Sequence, residues 1–413
     1  MSASPVRVVV TGLGYVSSLG FGPDEHEAAL KEGRSSVGPI RRFETTGFRT
    51  SQGAQCDERR LEELLRRRWP GPVLRGLDVD TRMLLWSATE ALDRAGVTPS
   101  SFSGPLPAVL GTTLEGFWQA EQWFAEAFKR TAVHARPRRL LQCMAGGQLA
   151  TLADILGLTL EPMVISNACA TGVSAIGRLF RRIRSGACEL GLAGGYDTLT
   201  RFIHLGFDSL GALSPGRCMP FDKKRSGFFI GDAAAMLVLE SLDSARRRGA
   251  PVHGEIVGYG ESLDSHHPTH PDPDGKGIAR AMTQALEMAA VAPDSVDYVN
   301  AHGTATPAND AAEARGILRA LGDEVGRRVP VSSTKALVGH TLGAAGALEE
   351  CFCLLALERG FLPVQAATTE PDPSCPLHLV STPEGRPTIA INTSLGFGGA
   401  NGVLVTRRWE AGS

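Results

Sequence analysis

One cysteine stands where an apolar strand passes into a helix. Small residues follow Ile165 in the segment 165–172 (ISNACATG), and the turns after it carry apolar residues at helical spacing. Cys169 therefore lies beside a predicted helix N-terminus, where free amides and the helix dipole lower a thiol pKa and favour the nucleophilic thiolate. A buried, inert cysteine is the alternative that this segment alone leaves open.

A histidine directly follows a second predicted strand, in the segment NAHGTATPAND. His302 stands at a strand end, a place where catalytic residues of α/β proteins are often found. Thr304 and Thr306 place two hydroxyls beside a glycine turn, where they could bind a polar ligand. Asp310 and Glu313 have the spacing of a capping box at the next helix start. The alternative is that the histidine and the threonines only satisfy turn amides.

A second histidine opens a helix rich in glycine and alanine. His340 precedes the segment TLGAAGALE, whose small residues let a helix pack closely against a neighbour. Glu349 lies in an otherwise apolar helix, so its charge needs a partner, and Lys335 is the candidate. Surface placement of both charges is the alternative.

A glycine-rich segment near the end of the sequence completes the candidate site. Glycines in residues 392–402 (NTSLGFGGANG) let the backbone run close to a ligand and turn its amides toward it. Taken alone, this pattern is weak, because glycine turns between strands are common. One thiol, two histidines and such a turn together form a set of groups suited to acyl transfer.

Other kinds of site find less support. Gly12 and Gly14 lack the third glycine of a dinucleotide fingerprint. His266, His267 and His270 lie in a proline-rich loop without an acidic or cysteine ligand pattern, so no metal is predicted. Lys+Arg 42 against Asp+Glu 44 leaves a net charge of −2, which argues against nucleic acid as a partner.

The elements that position these groups follow an α/β pattern. Hydrophobic residues make up 43% of the 413 residues, and short apolar runs alternate with helical patterns such as residues 80–95, which predicts buried sheets covered by helices. A polar break near residue 250 precedes residues 255–260, which weakly echo the opening strand and its glycines. We therefore predict two halves of related design, residues 1–250 and 251–413.

The same composition places the protein in a cellular context. No apolar run is long enough to cross a membrane, and the first residues lack the hydrophobic core of a signal peptide. The eight cysteines show no disulfide framework. We therefore expect a cytoplasmic protein with reduced thiols and no membrane partner.

Taken together, these segments resemble the β-ketoacyl–acyl-carrier-protein synthases, the elongating condensing enzymes of the thiolase superfamily. The resemblance runs essentially end to end, and it includes VVTGLG at 9–14, MPFD at 219–222, GFFIGD at 227–232 and GFGGAN at 396–401. It implies a thiolase-like five-layered αβαβα fold built from two similar halves. It also implies a dimer, formed by two copies or with a partner that resembles a chain-length factor.

The resemblance assigns roles to the candidate residues. Cys169 matches the nucleophile, and His302 and His340 match the two active-site histidines. Lys335 matches the lysine that supports the second histidine, and Glu349 matches its buried acidic companion.

Further positions match substrate contacts. Thr304 and Thr306 match the hydroxyls that hold the phosphopantetheine arm of the carrier protein, and Phe207 and Phe397 are expected to contact substrate. Leu395 occupies the gate position, whose amide forms an oxyanion hole with that of the nucleophile.

Two groups of arginines are expected to dock the carrier protein, which is acidic in this family. The alternative is a solvated surface. The arginines are Arg66, Arg67 and Arg68, and Arg136, Arg138 and Arg139.

The activity implied is a decarboxylative Claisen condensation. An acyl thioester on the carrier protein acylates Cys169. Malonyl carrier protein then loses CO2, and the two histidines, as neutral imidazoles, stabilise the enolate. Attack on the acyl group gives 3-oxoacyl carrier protein and free carrier. The resemblance implies no metal or redox cofactor, because the phosphopantetheine arm carries both substrates.

Three positions depart from the usual family pattern. Asn167 replaces a threonine, Leu395 replaces a larger phenylalanine, and Gly211 stands where an arginine is common. These differences favour, as an alternative, a ketosynthase subunit of a polyketide or aryl-polyene system paired with a chain-length-factor partner. A non-catalytic chain-length partner is disfavoured because the thiol and both histidines are present. A thiolase that uses coenzyme A is disfavoured because a second catalytic cysteine is lacking.

Overall fold

The computed structural model describes residues 5–129 and 142–410. Its strands are β1 (Val8–Ser17), β2 (Gly20–Phe21), β3 (Gly38–Pro39), β4 (Gln52–Gly53), β5 (Leu106–Gly111), β6 (Leu160–Ile165), β7 (Leu190–Asp197), β8 (Ala233–Ser241), β9 (Gly254–Leu263), β10 (Tyr298–Asn300), β11 (Pro330–Ser332), β12 (His378–Leu379), β13 (Ile389–Leu395) and β14 (Ala400–Arg407).

The α-helices of the same residues are α1 (Pro23–Glu32), α2 (Glu58–Arg66), α3 (Gly71–Leu74), α4 (Val79–Arg94), α5 (Phe117–Lys129), α6 (Ala145–Leu156), α7 (Thr171–Arg184), α8 (Arg201–Ser209), α9 (Leu242–Arg248), α10 (Lys276–Ala289), α11 (Pro307–Leu321), α12 (Asp323–Arg328), α13 (Lys335–Val338) and α14 (Ala345–Arg359). Short 3-10 turns lie at Pro99–Ser101, Pro293–Ser295, Leu342–Ala344 and Phe397–Gly399.

The two halves of the sequence repeat one strand order within a large sheet. From the middle outward, the first half contributes β1, β8, β7, β5 and β6, and the second contributes β9, β14, β13, β10 and β11. In both series the first two neighbouring pairs are antiparallel and the next two are parallel. Antiparallel pairing of β1 with β9, Val8 opposite Ile256, joins the halves. The division at residue 250 stays a prediction.

Helices form three layers around the two halves of the sheet. Helices α4 and α6 cover the outer face of the first half, and α10 and α11 cover that of the second. Helices α7 and α14 pack against each other and contact strands of both halves. This five-layered αβαβα arrangement confirms the predicted fold class, and it places the helix that follows Cys169 at the centre of the molecule.

Glycines set the distance between the two central helices. A Cβ on Gly172 would lie 2.5 Å from the backbone nitrogen of Ala347, and one on Gly346 would lie 2.6 Å from the side chain of Val173. Real Cβ atoms do not approach other atoms so closely, so only glycine fits at this crossing. The predicted close packing of the glycine- and alanine-rich helix is confirmed, and its neighbour is α7.

No helix within residues 5–129 and 142–410 is both long and apolar enough to cross a lipid bilayer.

Candidate active site

The nucleophile candidate lies in a tight turn between β6 and α7. Ala168 has a φ of 46°, a left-handed conformation that is uncommon outside glycine. The hydroxyl of Thr171 holds this turn, because it donates to the Ala168 carbonyl at 2.5 Å and accepts the Asn167 amide at 2.7 Å. The side chain of Cys169 is buried, yet it lines a cavity that opens to the surface.

Two imidazoles approach the Cys169 thiol from other segments of the chain. His340 Nε2 lies 3.0 Å from Cys169 Sγ. The His302 ring stands edge-on to that of His340, with the centroids 5.2 Å apart. The sulfur and one nitrogen of each ring all lie within 4.8 Å of one another. Three positions separated by up to 171 residues in sequence therefore meet at one point.

Hydrogen bonding fixes which nitrogen of His340 carries the proton. The backbone amide of Leu342 donates to His340 Nδ1 at 3.3 Å, so that nitrogen is the acceptor and Nε2 carries the hydrogen. Burial, followed by the charge of Lys335, lowers the pKa of both His302 and His340 well below the ordinary histidine value. Both rings are therefore neutral at pH 7, and His340 points its N–H at the sulfur.

The thiol pKa moves in the opposite direction to the one expected from its place beside a helix start. Burial raises the pKa of Cys169 to about 11, although the charge of Lys335 and the backbone N–H of Phe397 both lower it. At neutral pH the resting group is mainly the thiol, so the nucleophilic thiolate is a minority form before substrate binds.

A buried ion pair lies beside the imidazoles. Lys335, at the start of α13, places its Nζ 2.5 Å from Glu349 Oε1 in α14, and both side chains are almost completely buried. The predicted pairing is therefore present, and the surface alternative is wrong. Lys335 acts on His302 and His340 through its positive charge, and among the described residues neither ring accepts a hydrogen bond from it.

A thiol and two imidazoles could in principle hold a metal ion. The charge of Lys335, which lowers the pKa values of all three groups, would also repel a cation. A cation would therefore have to bind three ligands against this charge. The donor set suits neutral hydrogen-bond chemistry better than metal binding.

The carboxylates of α11 bind loop amides and do not form the predicted capping box. Glu313 accepts from the backbone amides of His302 at 2.7 Å and Gly303 at 2.8 Å. Asp310 accepts from the amides of Phe221 at 2.7 Å and Ala305 at 3.1 Å. The capping-box prediction is wrong, because both side chains turn inward and position the loop that carries His302. In the sequence, the position of Glu313 within the alanine-rich run of α11 could have indicated that its side chain turns inward.

A third buried carboxylate has no counterpart in the sequence-based prediction. Asp197, at the end of β7, accepts from the Gly343 amide at 2.6 Å, the Thr112 hydroxyl at 2.7 Å and the Leu114 amide at 3.0 Å. It therefore ties the loop after β5 to the loop that follows His340. No local pattern announces this role, because its partners lie in distant segments.

The catalytic cavity has a volume of about 280 Å³. Its buried lining includes Cys169, His302 and His340, and its exposed lining includes His270 and Ala308. The three reactive groups thus lie at the closed end and the exposed residues mark the mouth. The hydroxyls of the predicted pair, Thr304 and Thr306, also line this cavity and lie 3.0 Å apart.

Aromatic side chains form one wall of the cavity. The ring of Phe228 lies 5.1 Å from that of His340 and 5.3 Å from that of Phe207. The ring of Phe397 lies 5.7 Å from that of Phe207. Both phenylalanines predicted to contact substrate, Phe207 and Phe397, therefore line the space beside the thiol.

The amide that reaches the sulfur belongs to Phe397 and not to Leu395. The backbone N–H of Phe397 bonds to Cys169. Leu395 is the last residue of β13, where it pairs with Asn401, and it lines the cavity. A Cβ on Gly396 would lie 3.2 Å from the Cys169 amide nitrogen, which shows how closely the two turns approach. A bond to the sulfur does not decide which amide would bind a carbonyl oxygen, so the assignment of the gate and of the second oxyanion-hole amide to Leu395 stays a prediction.

Asn167 and Gly211, the other two positions that differ from the usual family pattern, each affect neighbouring residues. Asn167 donates from Nδ2 to the Ser174 hydroxyl at 3.1 Å and so braces the start of α7. Gly211 lines the cavity with a φ of 68°, and a Cβ there would lie 3.1 Å from a guanidinium nitrogen of Arg49. A basic group from another segment therefore stands beside the position of the missing arginine.

The predicted docking arginines differ in their surroundings. Arg66 pairs with Glu62 at 2.6 Å, and Arg68 pairs with Asp93. Arg67 is exposed and has no ion-pair partner within the described ranges. The second group, Arg136, Arg138 and Arg139, lies outside the described residues.

Comparison with known proteins identifies the relatives of this chain. Residues 6–245 match the model of the β-ketoacyl synthase N-terminal domain, and residues 253–369 match that of the C-terminal domain. The 3-oxoacyl-[acyl-carrier-protein] synthase 2 of Coxiella burnetii is 35% identical over 97% of this chain and 98% of the relative.

Two solved structures share the whole fold. The ishigamide ketosynthase/chain length factor superposes with a TM-score of 0.89 at 34% identity, covering 98% of this chain and 100% of that one. A type II PKS acyl-carrier protein in complex with its ketosynthase bound to the hexaketide gives 0.87 at 28% identity, covering 98% and 100%. With both family domains matched in order over most of its length, the chain belongs to the β-ketoacyl synthase family.

Proposed function

We propose that this protein is a β-ketoacyl–acyl-carrier-protein synthase, which condenses an acyl chain held on Cys169 with a malonyl group. The observation that carries the proposal is the 3.0 Å approach of a protonated Nε2 of His340 to the Cys169 sulfur, at the closed end of a cavity. A thiol beside two neutral N–H donors suits acyl transfer followed by enolate chemistry.

The first step transfers the acyl chain. Cys169 attacks the thioester carbonyl of an acyl carrier protein, a new C–S bond forms, and the proton of the cysteine ends on the departing carrier thiol. Negative charge develops on the carbonyl oxygen, and the amides of Cys169 and Leu395 are the donors proposed to bind it. Each such donor contributes roughly 3 kcal/mol to the transition state.

The second step forms the carbon–carbon bond. Malonyl carrier protein loses CO2, and the electron pair left behind makes an enolate whose oxygen accepts N–H bonds from His302 and His340. The enolate carbon attacks the acyl group on Cys169, and the cysteine leaves as a thiolate that takes up a proton. The product is a 3-oxoacyl carrier protein.

Lys335 is proposed to keep both imidazoles neutral throughout this cycle. A nearby positive charge disfavours a second positive charge on either ring, which agrees with the lowered pKa values of His302 and His340. Glu349 fixes the ammonium group at 2.5 Å. The thiol, the imidazoles and the amides supply every group that the reaction needs, so no resident cofactor is proposed.

The carrier protein is proposed to dock near exposed basic residues. Arg67 and Arg49 are the described arginines that best fit this role, since the former lacks an ion-pair partner there and the latter stands beside the cavity-lining Gly211. An acidic partner would be attracted to such groups, mainly by faster association.

A direct assay tests the proposal. The purified protein is mixed with an acyl carrier protein, and intact-mass measurement is expected to show one acyl adduct, located on Cys169 by peptide mapping. Addition of malonyl carrier protein should then discharge the adduct and release 3-oxoacyl carrier protein. Cys169→Ala is the control that forms no adduct. An adduct on any other residue, or no discharge by the malonyl donor, would contradict the proposal.

A second candidate function is the ketosynthase subunit of a polyketide-type pair. The similarity to the ishigamide ketosynthase/chain length factor favours it. Condensation by this chain alone supports the first function. If condensation requires a co-expressed chain-length-factor partner, the second function is correct.

Either function is proposed to use a dimer built on strand β6. This strand is the end of the sheet, and Met163 and Val164 are 40% and 41% exposed on it. An exposed apolar edge strand pairs readily with another chain. In sedimentation experiments, Val164→Lys is expected to shift the protein from dimer to monomer, whereas Val73→Lys, at an exposed site elsewhere, is not. A dimer that survives Val164→Lys would contradict this assembly.

A further inference from the structure

A loop at the cavity mouth carries three histidines that the proposed reaction does not use. This histidine loop, residues 264–275, connects β9 to α10. Its exposed imidazoles line a second cavity of about 320 Å³, together with the guanidinium of Arg315 from α11. His270 and Ala308 line both this cavity and the catalytic one, so the two spaces adjoin. The histidines are His266, His267 and His270.

The histidine loop is held in a defined position. Asp264 accepts from the Asp272 amide at 2.9 Å and from Asn401 Nδ2 at 2.7 Å. The amide of Gly398 donates to the Pro268 carbonyl at 2.7 Å. These bonds fasten the loop to the glycine segment that bounds the catalytic cavity, so its side chains keep a fixed relation to the mouth.

Two of the imidazoles form a pair. The Nδ1 atoms of His267 and His270 lie 3.1 Å apart, and the amide of Thr269 donates to His267 Nδ1, also at 3.1 Å. His267 Nδ1 is thus an acceptor, so neutral His267 carries its proton on Nε2 and His270 donates from Nδ1. The neutral pair offers one outward N–H.

The surroundings favour an anion. Arg315 donates to the Pro273 carbonyl at 2.5 Å, which uses one of the five N–H groups of a guanidinium. Ala308 lies in the first turn of α11, so the positive end of that helix dipole faces the same space. A divalent cation is disfavoured because it would share the cavity with the charge of Arg315.

The acidic groups near the pair are already engaged. Both oxygens of Asp264 accept the hydrogen bonds given above, and Asp272 accepts the amide of Asp274 at 3.0 Å. Asp274 pairs with Lys276 at 2.8 Å. Asp264 and Asp272 keep their negative charges, but neither lines the second cavity, whereas the positively charged Arg315 does.

We propose that the cavity formed by the histidine loop and Arg315 binds the phosphate at the outer end of the pantetheine arm. The inference rests on the proposed function, in which the thioester end of the arm reaches Cys169. The opposite end, which bears the phosphodiester, then lies at the exposed mouth, where the basic side chains stand. Phosphate oxygens accept hydrogen bonds from imidazole and guanidinium N–H groups, and bonds from the charged guanidinium are strong.

Two small donors with the same acyl chain test the proposal. One is the acyl-phosphopantetheine methyl ester, a phosphodiester whose single charge is constant with pH, and the other is the acyl-pantetheine without phosphate. The kcat/KM for acylation of Cys169 is measured by intact mass for each. The wild-type protein is expected to prefer the phosphodiester about tenfold.

Variants show which residues cause the preference for the phosphodiester donor. Arg315→Gln and the double change His267→Asn with His270→Asn are each expected to bring the ratio of the two kcat/KM values toward one. The ratio comes from a single protein sample, so loss of folded protein does not imitate the effect. His378→Asn, an exposed histidine at the opposite edge of the sheet, should keep the wild-type ratio.

The outcomes are distinct. Equal kcat/KM for both donors in the wild-type protein, or a preference that persists in both variants, would overturn the phosphate site and leave the condensing function intact. Failure of both donors to acylate Cys169 would overturn the proposed function, and this inference with it.

Discussion

Two buried cysteines in this molecule, Cys169 and Cys353, lie in different electrostatic surroundings. Cys169 is 7% exposed and lines a cavity, Cys353 is completely buried, and burial raises the pKa of each thiol. Around Cys169 the opposing influences are a lysine charge and a backbone N–H. Around Cys353 the carboxylates of Glu350 and Glu349 raise the pKa further. The two sulfurs therefore differ in the charges and donors that face them as well as in their access to a cavity.

The packing around the two thiols differs as well. Cys353 lies in the middle of α14, in an apolar cluster with Tyr298 and Leu357. Cys169 lies before α7, in a turn that lines a cavity. The Cys353 position requires only a small apolar side chain. The Cys169 position requires a left-handed turn, two imidazoles and an amide from the glycine segment.

Removal of each sulfur should give the largest contrast. Cys169→Ala is expected to lower condensation by about a thousandfold or more, because the covalent intermediate can no longer form. Cys353→Ala should leave kcat within a fewfold of wild type and cost about 1 kcal/mol of stability through lost packing. Product formation by mass spectrometry and urea unfolding measure the two effects. Comparable losses of kcat in both variants would break the comparison.

Removal of the Lys335 charge should destabilise the fold and change the pH dependence of the reaction at Cys169. Lys335→Met leaves Glu349 buried without its partner, so we expect a loss of about 3–5 kcal/mol in the free energy of unfolding. Without the positive charge, the pKa values of His302 and His340 should rise. The acid limb of the kcat profile should then move to higher pH. Glu349→Gln is the matched control, since it removes the other half of the pair and keeps the lysine charge. An unchanged pH profile for Lys335→Met would contradict the role of its charge.

The pH dependence of alkylation should sharpen the comparison further. Because the Cys169 pKa is raised to about 11, its thiolate fraction should increase about tenfold for each pH unit from 7 to 9. The rate of labelling by iodoacetamide, followed by peptide mapping, is expected to rise accordingly without a plateau. Cys351 and Cys353 should remain unlabelled in the folded protein. A plateau of the Cys169 rate near pH 7 would show that the thiol pKa is not raised.

The smallest expected effect concerns the glycine crossing of the central helices. Gly346→Ala places a methyl group against Val173 and should cost about 1–3 kcal/mol of stability. Because α7 follows Cys169, acylation should also slow, whereas the environment of Cys353 further along α14 changes little. Thermal unfolding and the acylation rate check both parts. Gly146→Ala, in helix α6 at a site with open space around it, separates crowding from the general cost of replacing a helical glycine.

The sequence predicted those parts of the site that a local pattern records. Cys169 before a helix, His302 after a strand and Glu349 in a largely apolar helix each stand out in the sequence, and the structure brings them together. The alternation of strands and helices likewise predicted the layers. Local pattern and tertiary structure agree at these positions because a strand-to-helix turn presents its residues in only one direction.

Other parts of the site depend on contacts between segments that are distant in the sequence, which no local pattern records. That the backbone N–H of Phe397 lowers the pKa of the sulfur depends on how closely two distant turns approach, which the segment SLGFGG does not record. The direction of the Cys169 pKa shift depends on burial by distant segments. Glu313 was read as a helix cap because its spacing fits one, and only the tertiary structure brings the His302 amide within its reach.

The interlocked crossing of α7 and α14 also bears on how such a protein can diversify. Helix α7, which follows Cys169, and helix α14, which carries Glu349, cannot slide past each other or rotate without a steric clash. Loops at the mouth, by contrast, are fastened through a few backbone hydrogen bonds. Mutation can therefore remodel the entrance for new acyl donors while the spacing of the reacting atoms is inherited unchanged.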